Sequence, residues 1–205
     1  MTTTALEERA WWDEIASDPL ELDQNVCDPA IASAAECLAE IVPALAVSDG
    51  ALVLDLGCGP GRLTLALAQQ RPEVRVIGLD VSTRMVDAAR SIGFGYENVK
   101  FARNDGRTLP DWVEADIDAA YSMLMFQHIP ADACAGYVKE VARVLRPGGR
   151  FRFQTVIGTA PDHFLSHQSN YAEMTAWCED AGLEVVESGP SRLYHEWSWM
   201  TARKP

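Results

Sequence analysis

Residues 53–61 read Val-Leu-Asp-Leu-Gly-Cys-Gly-Pro-Gly, and this stretch decides the fold. It starts as a short apolar run, ends at three alternating glycines, and leads into a segment with helical spacing at residues 62–70. Glycine permits a sharp turn and lets a ligand come close to the backbone. The stretch therefore predicts a strand, a ligand-binding loop and a helix in direct succession.

Downstream of this loop, strand and helix patterns alternate along the chain. One helix is expected to begin after Ser82 as its N-cap, another covers residues 131–145, and Pro147-Gly148-Gly149 is expected to form a turn. Strands that alternate with helices at this spacing form a mostly parallel sheet with helices on both faces. The further predicted strands are residues 74–79, 98–103, 116–122 and 150–156.

The two ends of the chain follow other patterns. Before the sheet, a short helix containing Trp11 and Trp12 is expected, and a second one over residues 30–46 behind an N-cap at Asp28. After the sheet core, a helix is predicted over 171–181, and two strands without an intervening helix are predicted at 183–187 and 196–202.

These patterns together predict an α/β fold: a Rossmann-like, doubly wound, mostly parallel seven-stranded sheet with an antiparallel C-terminal strand pair and an N-terminal helical cap. The chain of 205 residues has the length of a single domain. We expect residues 1–48 to form the cap, 49–158 the cofactor-binding core, and 159–205 the C-terminal helix and strand pair.

Charge and composition limit the class of partner. The net charge is −13, and residues 1–50 account for −10 of it, with eleven acids and the single base Arg9. Such a chain repels a phosphate backbone, so nucleic acid is an unexpected partner. The acidic segment is either an ordinary solvated helical surface or a cap that favours a cationic ligand.

Hydropathy and cysteine spacing predict where the protein is located and whether it binds a metal. No run of 18 apolar residues is present and the first ten residues lack a signal-peptide pattern, so we expect a cytoplasmic protein without a membrane span. The five cysteines have no C-x-x-C spacing, which predicts buried thiols rather than disulfides or a zinc site. We expect no bound metal. His163 and His167, at i and i+4, have no apparent third ligand.

An acidic residue downstream of the loop indicates a ligand that contains a ribose. Asp80 ends the second predicted strand, where a carboxylate is placed to accept hydrogen bonds from ribose hydroxyls. The alternative role, capping the next helix, can be filled by Ser82. A dinucleotide fingerprint, G-x-G-x-x-G, would require glycine at position 62, where Arg62 stands.

The sequence resembles the class I S-adenosylmethionine-dependent methyltransferases, whose first motif reads D-x-G-x-G-x-G after an apolar strand. Residues 55–61 match that motif throughout. The resemblance covers most of the chain and includes four further segments, at residues 78–85, 104–110, 118–128 and 145–149. It implies S-adenosylmethionine as the cofactor and S-adenosylhomocysteine as the product.

The resemblance also implies roles for individual residues. Asp55, Gly57 and Gly59 would face the methionine part of the cofactor, Asp80 the ribose, and Asp105 the adenine amino group. For Met123, core packing remains an alternative to contact with the methionyl part. The full set of expected cofactor-binding residues is Asp55, Gly57, Cys58, Gly59, Gly61, Asp80, Val81, Met85, Asn104, Asp105, Gly106 and Met123.

The acceptor is less well defined than the donor. His128, which follows the fourth predicted strand, is the candidate general base, because imidazole titrates near neutrality. The absence of a second domain and of a D/N-P-P-Y-like motif favours a small-molecule acceptor, bound by a monomer or homodimer. Two alternatives stay open: a cofactor-binding protein without transfer activity, and an NAD-dependent oxidoreductase.

Overall fold

The structure, a computed structural model, describes residues 5–17, 32–113, 116–157, 169–193 and 196–205. Its helices are α1 (Ala5–Ile15), α2 (Ala34–Leu45), α3 (Arg62–Gln70), α4 (Thr83–Ile92), α5 (Ala131–Val144) and α6 (Tyr171–Asp180). A 3₁₀ turn spans Phe126–His128. Its strands are β1 (Leu52–Leu56), β2 (Arg75–Asp80), β3 (Val99–Arg103), β4 (Ile117–Ser122), β5 (Leu145–Val156), β6 (Glu184–Pro190) and β7 (Trp197–Arg203).

The strands form one seven-stranded sheet in the order β3-β2-β1-β4-β5-β7-β6. The first five strands in this order pair in parallel, and β7 pairs antiparallel with both β5 and β6. The predicted doubly wound sheet with an antiparallel C-terminal pair is therefore confirmed. Strand β7 lies between β5 and β6, so the last strand of the chain is not at the edge.

Alternating side chains on each strand supply the two faces of the core. On β1, Val53 packs in a cluster with Leu38 of α2 and Leu67 of α3. Its neighbour Leu54 packs in a cluster on the other face, together with Tyr137 of α5 and buried side chains of α6. Helices thus cover both faces of the sheet, as the alternation of elements predicts.

Two predicted boundaries are wrong. Residues 32–33 are not helical, and α2 begins at Ala34, where Ser33 and Glu36 form a capping box. The expected N-cap Asp28 lies outside the described residues. Strand β5 begins at Leu145 and not at the expected Arg150. A step of two residues on β4, from Ile117 to Ala119, matches a step of five on β5, and Gly148 has φ of +79°, so the expected turn at residues 147–149 is present inside the assigned strand.

A buried carboxylate ties α2 to the C-terminal strands. Glu40 is only 6% exposed and accepts hydrogen bonds from the Ser191 hydroxyl (2.7 Å), the Arg192 amide (2.5 Å) and Trp199 Nε1 (3.0 Å). Burial raises the pKa of Glu40, but these bonds outweigh it and the net shift is downward. The acid is therefore held ionised as a cross-link between distant segments.

Candidate functional site

The strand order reverses at β1, whose neighbours are β2 on one side and β4 on the other. In open parallel sheets, ligands bind beyond the carboxyl ends of the strands at such a reversal. Four predicted site segments meet at this edge, because each begins at or directly after the end of one of the strands β1 to β4. They begin at Gly57, Asp80, Asn104 and Met123.

The glycine loop turns sharply at Gly57, where φ is +80°. The amides of Gly57 and Cys58 both donate to the carbonyl of Leu79 on β2, at 2.8 and 2.9 Å. A Cβ atom at position 57 would lie 2.7 Å from Sδ of Met125. Only glycine fits this turn, because the backbone lies directly against the segment after β4.

Asp80 joins the loop to the start of α4. One carboxylate oxygen accepts from the Gly59 amide (2.9 Å), and the other accepts from the Ser82 amide (2.9 Å). Burial raises the pKa of Asp80 above its ordinary value, although these amide hydrogen bonds oppose the shift. The Ser82 hydroxyl accepts from the Met85 amide (3.1 Å), which confirms Ser82 as the N-cap.

Asp55 is a buried acid below the loop, with 3% of its surface exposed. Its Oδ2 accepts from the hydroxyls of Thr64 (2.6 Å) and Tyr121 (2.8 Å), so Oδ1 is left for another donor. Burial raises the pKa of Asp55 to about 6, against the opposing effect of the two hydroxyls. A cation that approached Oδ1 would favour the ionised form.

The segment after β3 is closed by its own hydrogen bonds. Asn104 donates to the Tyr137 hydroxyl (3.0 Å) and accepts from the Gly106 amide (3.3 Å). Asp105 accepts from the amides of Arg107 (2.8 Å) and Thr108 (2.6 Å). Burial raises the pKa of Asp105, but these bonds give a net downward shift. These residues lie at the expected edge, yet the polar groups expected to bind adenine already make hydrogen bonds within the loop or, for Asn104, to Tyr137 of α5.

The segment after β4 combines buried side chains with an unusual backbone. Met123 is 7% exposed, and Leu124 has φ of +58°, a conformation that side-chain-bearing residues seldom adopt. Phe126 is fully buried and stacks on Phe153 with ring centroids 4.9 Å apart, so it is a core residue. Next to it, His128 is only partly buried.

Helix α1 covers this part of the site. The His128 ring lies 5.1 Å from the Trp12 ring and 6.1 Å from the Trp11 ring, measured between centroids. Both tryptophans of the predicted N-terminal helix therefore lie beside the candidate base.

Asp13, on the same helix, was missed by the sequence analysis. Its carboxylate accepts from the Ser82 hydroxyl (2.6 Å) and the Arg84 amide (3.1 Å). Burial raises the pKa of Asp13, but the bonds with Ser82 and Arg84 and the charge of Arg9 give a net downward shift. The helix is thus fastened beside Asp80. No local pattern around residue 13 indicates partners about seventy residues away.

The remaining residues named from the sequence are two histidines and the cysteines. His163 and His167 lie outside the described residues. Within the described ranges, Cys37, Cys58, Cys134 and Cys178 are buried free thiols, and no group of side chains is arranged to hold a metal ion. No helix there is long and apolar enough to cross a membrane.

Comparison with known proteins agrees with this geometry. Residues 53–149 match the family described as a methyltransferase domain. A ubiquinone biosynthesis O-methyltransferase of Paracidovorax citrulli is 31% identical over 168 residues, which cover 72% of this chain and 69% of that protein. A trans-aconitate 2-methyltransferase of Azoarcus sp. is 33% identical over 116 residues, covering 56% of this chain and 43% of that protein.

Solved structures share the architecture as well. The [4+2]-cyclase SpnF superposes with a TM-score of 0.81 at 20% identity, covering 100% of this chain and 97% of that one. At this identity the likeness shows the fold. The chain spans 31%, 43% and 51% of the lengths of the first three curated relatives that it matches.

Proposed function

The chain belongs to the class I S-adenosylmethionine-dependent methyltransferases, and from this premise we propose that it methylates a small-molecule acceptor on oxygen or nitrogen. The observation that carries the proposal is the contact between the Gly59 amide and Asp80, at 2.9 Å, beside the crowded turn at Gly57. This contact fixes a carboxylate next to a glycine backbone at the reversal of strand order.

The residues present fit the cofactor. At Gly57 the backbone lies so close to Met125 that only glycine fits, and Oδ1 of Asp55 has no donor among the described residues. Asp80 would bind the ribose, while Asp55 with the backbone of Gly57 and Gly59 would hold the methionine part. Val81 and Met85 would line the adenine. Asn104, Asp105 and Gly106 would bind its polar edge if their present bonds rearrange.

When bound, the cofactor supplies a methyl group that is already activated on sulfur. The protein's task is then to align the acceptor in line with that group, exclude water and, for a hydroxyl or ammonium acceptor, remove a proton. His128 is the proposed base, because it lies at the carboxyl edge after β4 beneath Trp11 and Trp12. The two indole rings would exclude water around it.

A small acceptor agrees with two further observations. The names of the relatives above refer to trans-aconitate and ubiquinone biosynthesis, both concerned with small molecules. The negative charge of the chain is unfavourable for a nucleic-acid acceptor. We therefore propose the small-molecule class for this chain as well.

Calorimetry followed by methyl transfer tests the proposal. S-adenosylhomocysteine is expected to bind and NAD is not, and Asp80→Ala should weaken binding by about tenfold or more, roughly 1.4 kcal/mol. A panel of phenols, alcohols, carboxylates and amines with radiolabelled S-adenosylmethionine should then show transfer to one class. Cofactor binding without transfer to any acceptor would favour the binding-protein alternative, and binding of NAD alone would overturn the proposal.

A further inference from the structure

Gln154 on β5 is a buried polar side chain that has no hydrogen-bond partner among the described residues. None of its surface is exposed, and neither Nε2 nor Oε1 makes a hydrogen bond to that part of the chain. Leaving an amide unpaired in a protein interior costs free energy, so nearly all such groups are paired. An unpaired carboxamide at the edge of a ligand site therefore indicates that the ligand supplies its hydrogen bonds.

The sheet register locates Gln154 beside the expected methyl donor. Phe153 faces the α5 and α6 side of the sheet, so Gln154 faces the opposite side, where it pairs in register with Trp199. Ser122 pairs with Phe153, which places Met123 next to Gln154 across the β4–β5 boundary. Met123 is the residue expected beside the methionyl part of the cofactor.

The surroundings on this face are apolar or carry charges that have a counter-charge or hydrogen-bond partner. Met123 and Trp199 belong to the buried apolar cluster, and Glu40 and Arg152 both have protein partners, although Nε of Arg152 has none among the described residues. Glu40 accepts from Trp199 Nε1 at 3.0 Å, and the Arg152 guanidinium lies 3.3 Å from the Glu187 carboxylate. A neutral carboxamide among such groups favours a neutral ligand, because a charged one would be desolvated without a counter-charge.

We propose that Gln154 binds the methyl acceptor, and that this acceptor is a neutral molecule with a hydroxyl next to a second oxygen. The acceptor's hydroxyl donates to Oε1, and its neighbouring oxygen accepts from Nε2, so both unpaired ends of the amide are satisfied. This assignment rests on the proposed function, and it names the class of acceptor for the same site. Of the two interpretations of the acidic N-terminal segment, it favours an ordinary solvated surface over a cap for a cationic ligand.

A stability measurement tests whether the amide is unpaired in solution. Gln154→Met keeps the size and removes the polar atoms, so the melting temperature should rise by about 2–4 °C. The matched control is Asn98→Leu, which removes a carboxamide whose Nδ2 donates to the carbonyls of Ala68 (3.1 Å) and Val74 (3.0 Å). Its melting temperature should fall. A lower melting temperature for Gln154→Met would overturn the proposal.

A binding measurement tests the acceptor class, with catechol as the probe and phenol as its one-oxygen analogue. Calorimetry on the complex with S-adenosylhomocysteine should show catechol binding tighter than phenol. Gln154→Met should weaken catechol binding by about tenfold, because two hydrogen bonds are lost, and change S-adenosylhomocysteine affinity less than twofold. Equal catechol affinity in both proteins, or none in the wild type, would overturn the assignment.

The two proposals fail separately. If catechol binding depends on Gln154 but no acceptor in the panel is methylated, the acceptor site stands and the transfer function fails. If an acceptor is methylated with the same KM and kcat in Gln154→Met, the function stands and the role of Gln154 fails. A raised acceptor KM with an unchanged cofactor KM supports both.

Discussion

Polar side chains at the two ends of the sheet differ in their hydrogen bonding. At the amino end, Asp118 accepts from the Leu52 amide (2.7 Å) and from Arg146 (2.5 Å), and Asn98 donates to several carbonyls. At the carboxyl end of β4 and β5, the side chains of Gln154, Thr155, Gln127 and Ser169 each have a buried polar atom without a hydrogen-bond partner among the described residues. The named groups at the amino end are paired within the protein, whereas those after β4 and β5 leave buried polar atoms that a ligand could bind.

Two glycines at opposite ends of β1 sharpen this contrast. Gly50 and Gly57 have nearly the same backbone conformation, with φ of +77° and +80°. A Cβ atom at Gly50 would meet nothing within 4 Å, whereas one at Gly57 would meet the Met125 side chain at 2.7 Å. The same φ therefore occurs in an uncrowded turn at Gly50 and in a turn packed against Met125 at Gly57.

The largest expected effect comes from Gly57→Ala. The backbone strain of φ +80° and the overlap with Met125 should displace the loop, and S-adenosylhomocysteine affinity should fall by about 100-fold, roughly 2.7 kcal/mol. Calorimetry measures the loss. Gly50→Ala is the matched control: it has the strain without the overlap, so it should lower the melting temperature and leave affinity within twofold. Equal affinities for the two variants would break the comparison.

Local pattern was enough to predict where most candidate site residues lie, at the carboxyl end of the sheet. The motif at residues 55–61, the acid at Asp80 and the N-cap at Ser82 all follow from residues close together in the chain. The sheet itself was predictable for the same reason, because each apolar run ends at a turn or helix signal. Capping at Ser33 was also present in the sequence, as a Ser-x-x-Glu pattern, and was overlooked.

Contacts between distant segments could not be predicted in this way. Asp13 meets Ser82 across 69 positions, and Glu40 meets Ser191 across 151. Neither acid differs in its local sequence from the solvated acids around it. The unpaired state of Gln154 also has no signal in the local sequence, because a buried amide without a hydrogen-bond partner is recognised only from the positions of its neighbours. Tertiary packing decides these positions.

A smaller effect is expected from pH, through Asp55. Its pKa in the folded protein is about 6, above the value of 3.8 for a free side chain. The ionised fraction should rise from about 0.1 at pH 5 to about 0.9 at pH 7. If the carboxylate meets the cofactor's ammonium, S-adenosylhomocysteine affinity should rise roughly tenfold over that range. Titrations at several pH values measure this rise.

Asp55→Asn is the matched variant, because one amide oxygen can still accept from both Thr64 and Tyr121. Its affinity for S-adenosylhomocysteine should be low at every pH, without the rise that ionisation of Asp55 causes in the wild type. For stability the sign is opposite: the raised pKa stabilises the wild type fully below pH 4, and this contribution is lost as the pH rises through 6. An affinity profile that is the same in wild type and variant would exclude contact between Asp55 and the ammonium.

The smallest effect is expected from Asp13→Ala, which loosens α1 from the carboxyl end. The Arg84 amide loses its acceptor, while Ser82 still caps α4 through the Met85 amide, so only part of the N-terminal capping is lost. We expect a cost of about 1 kcal/mol in stability and about a threefold weaker affinity for S-adenosylhomocysteine. Glu14→Ala, on the exposed side of the same helix, is the control and should change neither.

Tryptophan fluorescence separates the local effect of Asp13→Ala from a global one. Trp11 and Trp12 lie on α1 near His128, so release of the helix should shift their emission toward that of solvated indole. Cofactor binding should reverse the shift if the helix closes over the occupied site. An unchanged emission spectrum together with unchanged affinity would mean that α1 is held at the carboxyl end by its indole contacts, and that the bond from Asp13 is dispensable there.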